Sequence, residues 1–274
     1  MIPAARSPAT LEALQADVAR AGPIVAAARA LGGYLALAGG LLCFAVPLLA
    51  WSMCASALHR VLPRARGKRF GQYMLMVLFR SFLSVMRRAR LLHLDLSALD
   101  ALRNDAPLVI APNHPSLLDA VLVISRLPNV VCIMKSDLGS RVLFGGGSRL
   151  ASYIHNDSPV ALVRGAAAAA RAGSHVLIFP EGTRTRGTSV NPFKGGFALV
   201  GKVAKVPIQT VFIESNSPFL GKGWPLSRRP AFPLVYRVRL GRRFEIGASV
   251  HGSMDEIERY FHSMLAAPGS EPGV

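Results

Sequence analysis

Two short segments hold residue types that can do chemistry together. The first is Asn113-His114-Pro115-Ser116-Leu117-Leu118-Asp119. An imidazole with its ordinary pKa of about 6.5 is mostly neutral at neutral pH, so one ring nitrogen can take a proton from a hydroxyl. A carboxylate on the other nitrogen fixes the tautomer and stabilises the imidazolium. That is the equipment of general-base catalysis. The same spacing has a plainer reading, because Ser116-x-x-Asp119 is also a capping-box pattern at the start of a helix. The second segment is Phe179-Pro180-Glu181-Gly182-Thr183-Arg184. Pro180 stops a strand, Gly182 lets the backbone bend or approach a ligand closely, and Arg184 offers a planar fork of donors suited to phosphate. Glu181 is placed to align Arg184 or a substrate hydroxyl. The plain alternative is a strand-to-turn connection with a surface ion pair. The chain contains no G-x-S-x-G nucleophile elbow, which counts against an acyl-enzyme hydrolase.

The elements that must position these segments are legible from residue 107 onward. Leu108 to Ala111, Val130 to Met134, Val176 to Phe179, Ile208 to Ile213 and Leu234 to Leu240 read as strands, rich in Val, Ile and Leu. Between them Ser116 to Arg126, Val160 to Ala172 and Phe197 to Ala204 read as helices. Alternating strands and helices predict an α/β layered domain with a largely parallel sheet flanked by helices, whose active site gathers beyond the strand C-termini. Both segments fall at such strand ends.

The chain has 274 residues and a formal net charge of +17, yet 17% of its residues are charged and 51% are hydrophobic. Mean hydropathy is +0.36, which excludes a disordered chain. Three cysteines without paired spacing leave no disulfide framework and no zinc ribbon, and point to a reducing compartment. Leu31 to Leu58 carries no charged side chain; as a helix it would reach roughly 42 Å, beyond the roughly 30 Å of hydrocarbon in a bilayer. Gly39, Gly40 and Pro47 interrupt it, so one spanning helix and a re-entrant hairpin are both permitted. Arg60, Arg64, Arg66, Lys68 and Arg69 follow and place that end on the cytoplasmic side of an inner membrane. Residues 70–86 read as a helix lying in the membrane interface or as a basic-ended docking helix. The expected division is a membrane-anchoring region over 1–90, a catalytic domain over 91–265 and a frayed tail over 266–274. Residues 217–230 mix aromatic residues, prolines and cations, and suit a membrane-touching loop, a patch for an acidic carrier protein, or a rigid loop without a ligand.

Together the two segments resemble the motifs of the glycerolipid acyltransferase family, which includes the 1-acylglycerol-3-phosphate acyltransferases. Asn113, His114 and Asp119 match its NHxxxxD block, and Phe179 to Arg184 match FPEGTR at every position. Lys135-Ser136-Asp137-Leu138, Phe193-Lys194-Gly195 and Val206-Pro207-Ile208 match weaker blocks. Asp137 stands where Glu is usual, and the stretch from Gly145-Gly146-Gly147 to Asp157 lacks the arginine that commonly ends the second block. The resemblance implies an acyltransferase domain preceded by N-terminal membrane helices. It implies acyl transfer from an acyl-CoA or acyl-ACP thioester to the hydroxyl of lysophosphatidic acid or a similar lysophospholipid. His114 and Asp119 would be catalytic; Asn113, Lys135, Glu181, Gly182, Thr183 and Arg184 would hold or shape the acceptor site, with no metal and no cofactor beyond the co-substrate. Backbone N–H groups at the start of the helix after His114 are the natural oxyanion donors. A hydroxylated lipid of a specialised pathway (aryl-polyene or ornithine-lipid type) is an alternative acceptor, and an inactive membrane-anchored lipid-binding protein is a further alternative. Nucleic acid is not an expected partner, since no zinc-finger spacing or RNP-like aromatic motif accompanies the charge.

Overall fold

The computed structural model describes residues 23–134, 142–187 and 189–266. We number the helices α1 (Pro23–Val61), α2 (Arg64–Arg88), α3 (Asp119–Ile124), α4 (Val142–Leu150), α5 (Pro159–Arg171), α6 (Gly196–Ala204) and α7 (Val250–Ala266). The strands are β1 (Leu92–Asp95), β2 (Val109–Pro112), β3 (Val130–Met134), β4 (Ile154–His155), β5 (His175–Leu177), β6 (Ile208–Ser215) and β7 (Leu234–Phe244). They form one sheet in the order β1-β7-β6-β2-β5-β3-β4, in which β6 and β7 pair antiparallel and every other neighbouring pair is parallel. The expected α/β class and largely parallel sheet are therefore found. The short edge strands β1 and β4, and the helices α4 and α7, go beyond what the apolar runs predicted.

Both faces of the sheet are apolar, as a parallel sheet under two helical layers requires. Strand periodicity sends Ile110, Leu177, Val211 and Ile213 into one core cluster and Val109, Ala111, Val176 and Phe212 into the other. The second core is closed by α5, α6 and α7 through Leu162, Ala166, Phe197, Ile257 and Phe261. The first is closed by α1, α2 and α3. Leu37 and Leu48 of α1 and Leu75, Phe79 and Leu83 of α2 lie in the same cluster as Leu122 of α3 and Leu177 of β5. Each such side chain contributes about 1.5–3 kcal/mol on burial. The helices before residue 90 pack as an outer layer of the α/β domain that follows it. The tail expected from 266 lies, apart from Ala266, outside the described residues.

Helix α1 runs unbroken through Gly39, Gly40 and Pro47, which removes the hairpin alternative. Its C-terminal half docks on α4 through small residues. Gly146 N–H donates to Ser52 Oγ at 3.0 Å, and a Cβ at Gly146 would stand 1.8 Å from the Ser52 carbonyl oxygen. A Cβ at Gly147 would meet the Trp51 indole at 2.9 Å. Glycines 146 and 147, within the stretch that departs from the family pattern, therefore let two helices touch. The interfacial reading of residues 70–86 is also corrected. One face of α2 is buried at Gln72, Leu75, Met76, Phe79, Leu83 and Met86, at helical spacing. Gln72 Nε2 donates to the Ala151 carbonyl at 3.3 Å. It is a docking helix, joined to α1 and α4 by the ring contacts of Phe44 with Phe79, Phe82 and Phe144. On the opposite side of α1, Leu35, Leu42, Val46 and Met53 remain at least 60% exposed.

Replacing Gly146 by Ala forces the α1–α4 contact apart. The expected cost is about 1–3 kcal/mol, read as a lowered thermal midpoint in detergent. Gly32→Ala, where a Cβ meets nothing within 4 Å, is the matched control and leaves the midpoint in place.

Candidate active site

Strand β2 delivers the first motif. Asn113 continues its backbone pairing by donating N–H to the Val211 carbonyl, and its side chain forms a two-way clasp with β6: Nδ2 donates to Ile213 O at 3.0 Å and Oδ1 accepts from Ile213 N–H at 2.7 Å. Asn113 is buried by this clasp. It fastens the strand end, and it is not among the residues that line the cavity beside His114.

His114 Nδ1 lies 2.8 Å from Asp119 Oδ2, and the same oxygen accepts the Ser116 N–H at 2.7 Å. One carboxylate thus takes both the His114 ring and the Ser116 N–H, although the helix itself starts at Asp119 without a side-chain cap. The His114 ring stacks on Phe179 at the end of β5, with centroids 3.8 Å apart and planes 20° apart. Nδ1 is taken by Asp119, so the second nitrogen, Nε2, is the one left to meet a substrate in the cavity that His114 lines. Asp119 is fully buried. Burial pushes its carboxyl up to about 6, opposed by the hydrogen bond and charge of His114.

The second motif wraps the first. Glu181 is 1% exposed. Its Oε1 accepts from His114 N–H at 3.0 Å and from the Thr185 hydroxyl at 2.7 Å, and its Oε2 accepts from Asn191 N–H at 2.8 Å and Asn191 Nδ2 at 2.6 Å. Thr185 N–H returns a bond to the His114 carbonyl at 2.7 Å. Glu181 is fully engaged in fastening the His114 backbone, a correction to its expected contact with the acceptor or with Arg184. Thr185 and Asn191, which motif reading missed, complete this arrangement; they lie on the same connection as Glu181, four and ten residues on, outside the matched hexapeptide. Gly182 has φ +64°, and a Cβ there would meet the Lys194 side chain at 2.9 Å. The turn thus needs glycine twice over. Arg184 Nη1 donates to the carbonyls of Leu220 and Gly221 at 2.8 and 2.7 Å, and Thr183 Oγ1 accepts from Lys222 Nζ at 2.9 Å.

The oxyanion donors expected after His114 are already in use. Ser116 N–H serves Asp119, Leu117 N–H serves Leu220 O, Leu118 N–H serves Ser116 Oγ and Asp119 N–H serves Ser116 O. Lys135 lies outside the described residues.

His114 opens onto a cavity of about 1260 Å³ that runs over the C-terminal edge of the sheet. Toward α1 and α2 it is walled by Leu37, Phe44, Phe79, Phe82, Val121 and Phe144; its cations are Arg164, Arg171, Arg184, Lys194 and Lys222. Among the described residues no carboxylate lines it. Cys132 also lines it, but burial pushes that thiol up to about 12, so it is no thiolate nucleophile at neutral pH.

Comparison with known proteins agrees with this geometry. Residues 93–214, which include every bond between the two motifs, match the family model described as Acyltransferase. A 1-acyl-sn-glycerol-3-phosphate acyltransferase of Cocos nucifera is 34% identical over 103 residues, which span 35% of this chain and 33% of that relative. The crystal structure of PlsC, the 1-acyl-sn-glycerophosphate (LPA) acyltransferase of Thermotoga maritima, superposes with a TM-score of 0.64 at 13% identity, covering 89% of this chain and 100% of that one. It shares the fold. The stretch that carries the paired His114–Asp119 and Phe179–Arg184 segments is thus similar to an acyltransferase domain, and the chain spans about a third of the length of the curated relative it matches.

Proposed function

We propose that the protein is a membrane-bound O-acyltransferase that moves a fatty acyl chain from an acyl-CoA or acyl-ACP thioester to the hydroxyl of lysophosphatidic acid or a similar lysophospholipid. The observation that carries this reading is one cavity with a His114–Asp119 pair at its wall, an apolar arm for a hydrocarbon chain and, among the described residues, five cations and no carboxylate for an anionic headgroup. His114 Nε2 takes the proton of the acceptor hydroxyl as its oxygen attacks the thioester carbonyl. Asp119 stabilises the imidazolium. The tetrahedral intermediate collapses with cleavage of the C–S bond, and the proton passes from His114 to the departing thiolate. The acceptor leaves as an ester and the donor as a free thiol.

Membrane attachment rests on α1. Its docked side contacts the domain from Gly33, beside Arg229, to Ser56, beside Gly146. Its other side is the uncovered apolar face, which enters the bilayer. Arg60, Arg64, Arg66, Lys68 and Arg69 follow at the α1–α2 corner, and among the described residues none of them is ion-paired. Such cations sit at anionic headgroups on the cytoplasmic surface of the inner membrane.

His114→Ala lowers kcat roughly 10²- to 10⁴-fold in an assay of labelled acyl thioester with a panel of lysophospholipids; equal turnover by the variant removes the mechanism. Asp119, with its carboxyl raised to about 6, is ionised only above that value, so kcat falls as pH drops through about 6. Wild-type kcat that stays flat from pH 7.5 to pH 5 contradicts this role. Glu181→Gln weakens the fastening of His114 and lowers kcat while acceptor KM holds. A change confined to acceptor KM would return Glu181 to the substrate.

A further inference from the structure

The five cations that line the cavity with His114 are not equally committed. Arg184 Nη1 donates to the carbonyls of Leu220 and Gly221, Lys222 Nζ donates to Thr183 Oγ1, and Arg171 donates to the Val203 carbonyl. Among the described residues, Arg164 and Lys194 make no side-chain hydrogen bond and no ion pair. Arg164 stands on α5, next to Gly165, which faces Ile154 of the edge strand β4. Lys194 stands at the second motif itself.

Three contacts fix it there. Lys194 N–H donates to the Pro180 carbonyl at 2.8 Å. The preceding residue, Phe193, is buried; its N–H donates to Glu258 Oε2 at 3.2 Å, and its ring meets Phe197 and Phe261 with centroids 5.7 and 5.2 Å away. The Lys194 stem then crosses Gly182, where a Cβ would stand 2.9 Å from Lys194 Cδ and 3.1 Å from Nζ. The ammonium is thereby laid over the turn that follows Glu181, whose carboxylate holds the His114 backbone. Base and cation are set by consecutive residues of one connection.

An ammonium offers three rotatable donors, and on a wall whose described residues include no carboxylate its natural counter-ion is one that a ligand brings. Phosphate is such an anion. In lysophosphatidic acid the phosphate is carried on the carbon next to the one that bears the hydroxyl. A phosphate seated on the Gly182 turn therefore leaves that hydroxyl within a few bonds of the histidine.

We propose that Lys194 binds the phosphate of the acceptor headgroup and so sets the acceptor hydroxyl against His114. This rests on the acyl-transfer reading above and names the side chain that selects a phosphorylated acceptor. The donor thioester also carries phosphate, on its pantetheine arm, so the test separates the two sources.

Steady-state kinetics are measured for wild type, Lys194→Ala, Lys194→Arg and Arg184→Ala with lysophosphatidic acid, with a monoacylglycerol lacking phosphate, and with varied acyl thioester. Loss of one charge-assisted contact predicts a KM for lysophosphatidic acid about 10- to 100-fold higher in Lys194→Ala. The rise exceeds any change in kcat, is largely restored by Lys194→Arg, and is absent for the monoacylglycerol and for the donor. A rise that falls on the donor KM, or equally on both acceptors, overturns the proposal. So does an unchanged KM in Lys194→Ala beside a raised one in Arg184→Ala, which gives the phosphate to the guanidinium. Calorimetric titration with a short-chain lysophosphatidic acid below its micelle concentration, without thioester, tests Lys194 apart from turnover. Equal affinity of wild type and Lys194→Ala, or no binding to wild type, overturns the assignment whatever the enzyme's reaction. Binding that depends on Lys194 in a protein without transferase activity would instead sink the acyl-transfer reading alone.

Discussion

A carboxylate placed where water cannot reach it must be met by donors on every side, and Glu181 imposes that condition on two loops at once. Its two oxygens collect the backbone of His114, the hydroxyl of Thr185 and both nitrogens of Asn191. Thr185 and Asn191 lie on the same connection as Glu181, and His114 comes from the connection after β2, 67 residues away in sequence. The cost of leaving that charge unpaired, several kcal/mol for a buried ion, keeps the loops closed on one another. His114 is held by its main chain to Glu181, by its Nδ1 to Asp119 and by its ring face to Phe179. The histidine has lost its freedom before any substrate arrives, which is the condition for an efficient base.

The second organising fact is that the apolar N-terminal helices are walls of the α/β domain. Helix α1 gives Leu37 and Leu48 to the core beneath the sheet, and its small residues meet the glycines of α4. The apolar arm of the cavity, with Phe44, Phe79 and Phe82, is consequently lined in part by the same helix that turns its other face outward. The charge divides in a parallel manner. Along β7, Arg237, Arg239, Arg242 and Arg243 are neutralised by Asp95, Glu214, Glu256 and Asp105. At the α1–α2 corner, among the described residues, Arg60, Arg64, Arg66, Lys68 and Arg69 have no such carboxylate.

Much of this was legible from the chain alone. Strands were marked by Val, Ile and Leu runs whose alternating residues feed two cores, and β3 keeps the bounds read from sequence, Val130–Met134. Helices α5 and α6 kept theirs within a residue or so, because Ser158-Pro159 and the glycine at 195 mark their starts. The helix expected from Ser116 shrank to Asp119–Ile124, since its first N–H groups are drawn to Asp119, Leu220 and Ser116 instead of a helical ladder. The pairing of His114 with Asp119 was also readable, because both residues sit on one tight turn.

What could not be read were partners brought together by topology. Helix α1 is apolar on all sides, so nothing local says which side docks and which stays uncovered; the glycines of α4 decide it by letting backbones touch. Asn113 and Glu181 have the chemistry of substrate ligands, and only the closing of β2 on β6 and of the two motif loops on each other turns them into fasteners. Lys222 stands far from either motif in sequence and within 2.9 Å of one in space. Local chemistry, set by residue type and spacing, determined the reaction equipment and the strand order's raw material. Long-range hydrogen bonds, which depend on chain segments a hundred residues apart meeting at one sheet edge, decided which of those groups face the substrate.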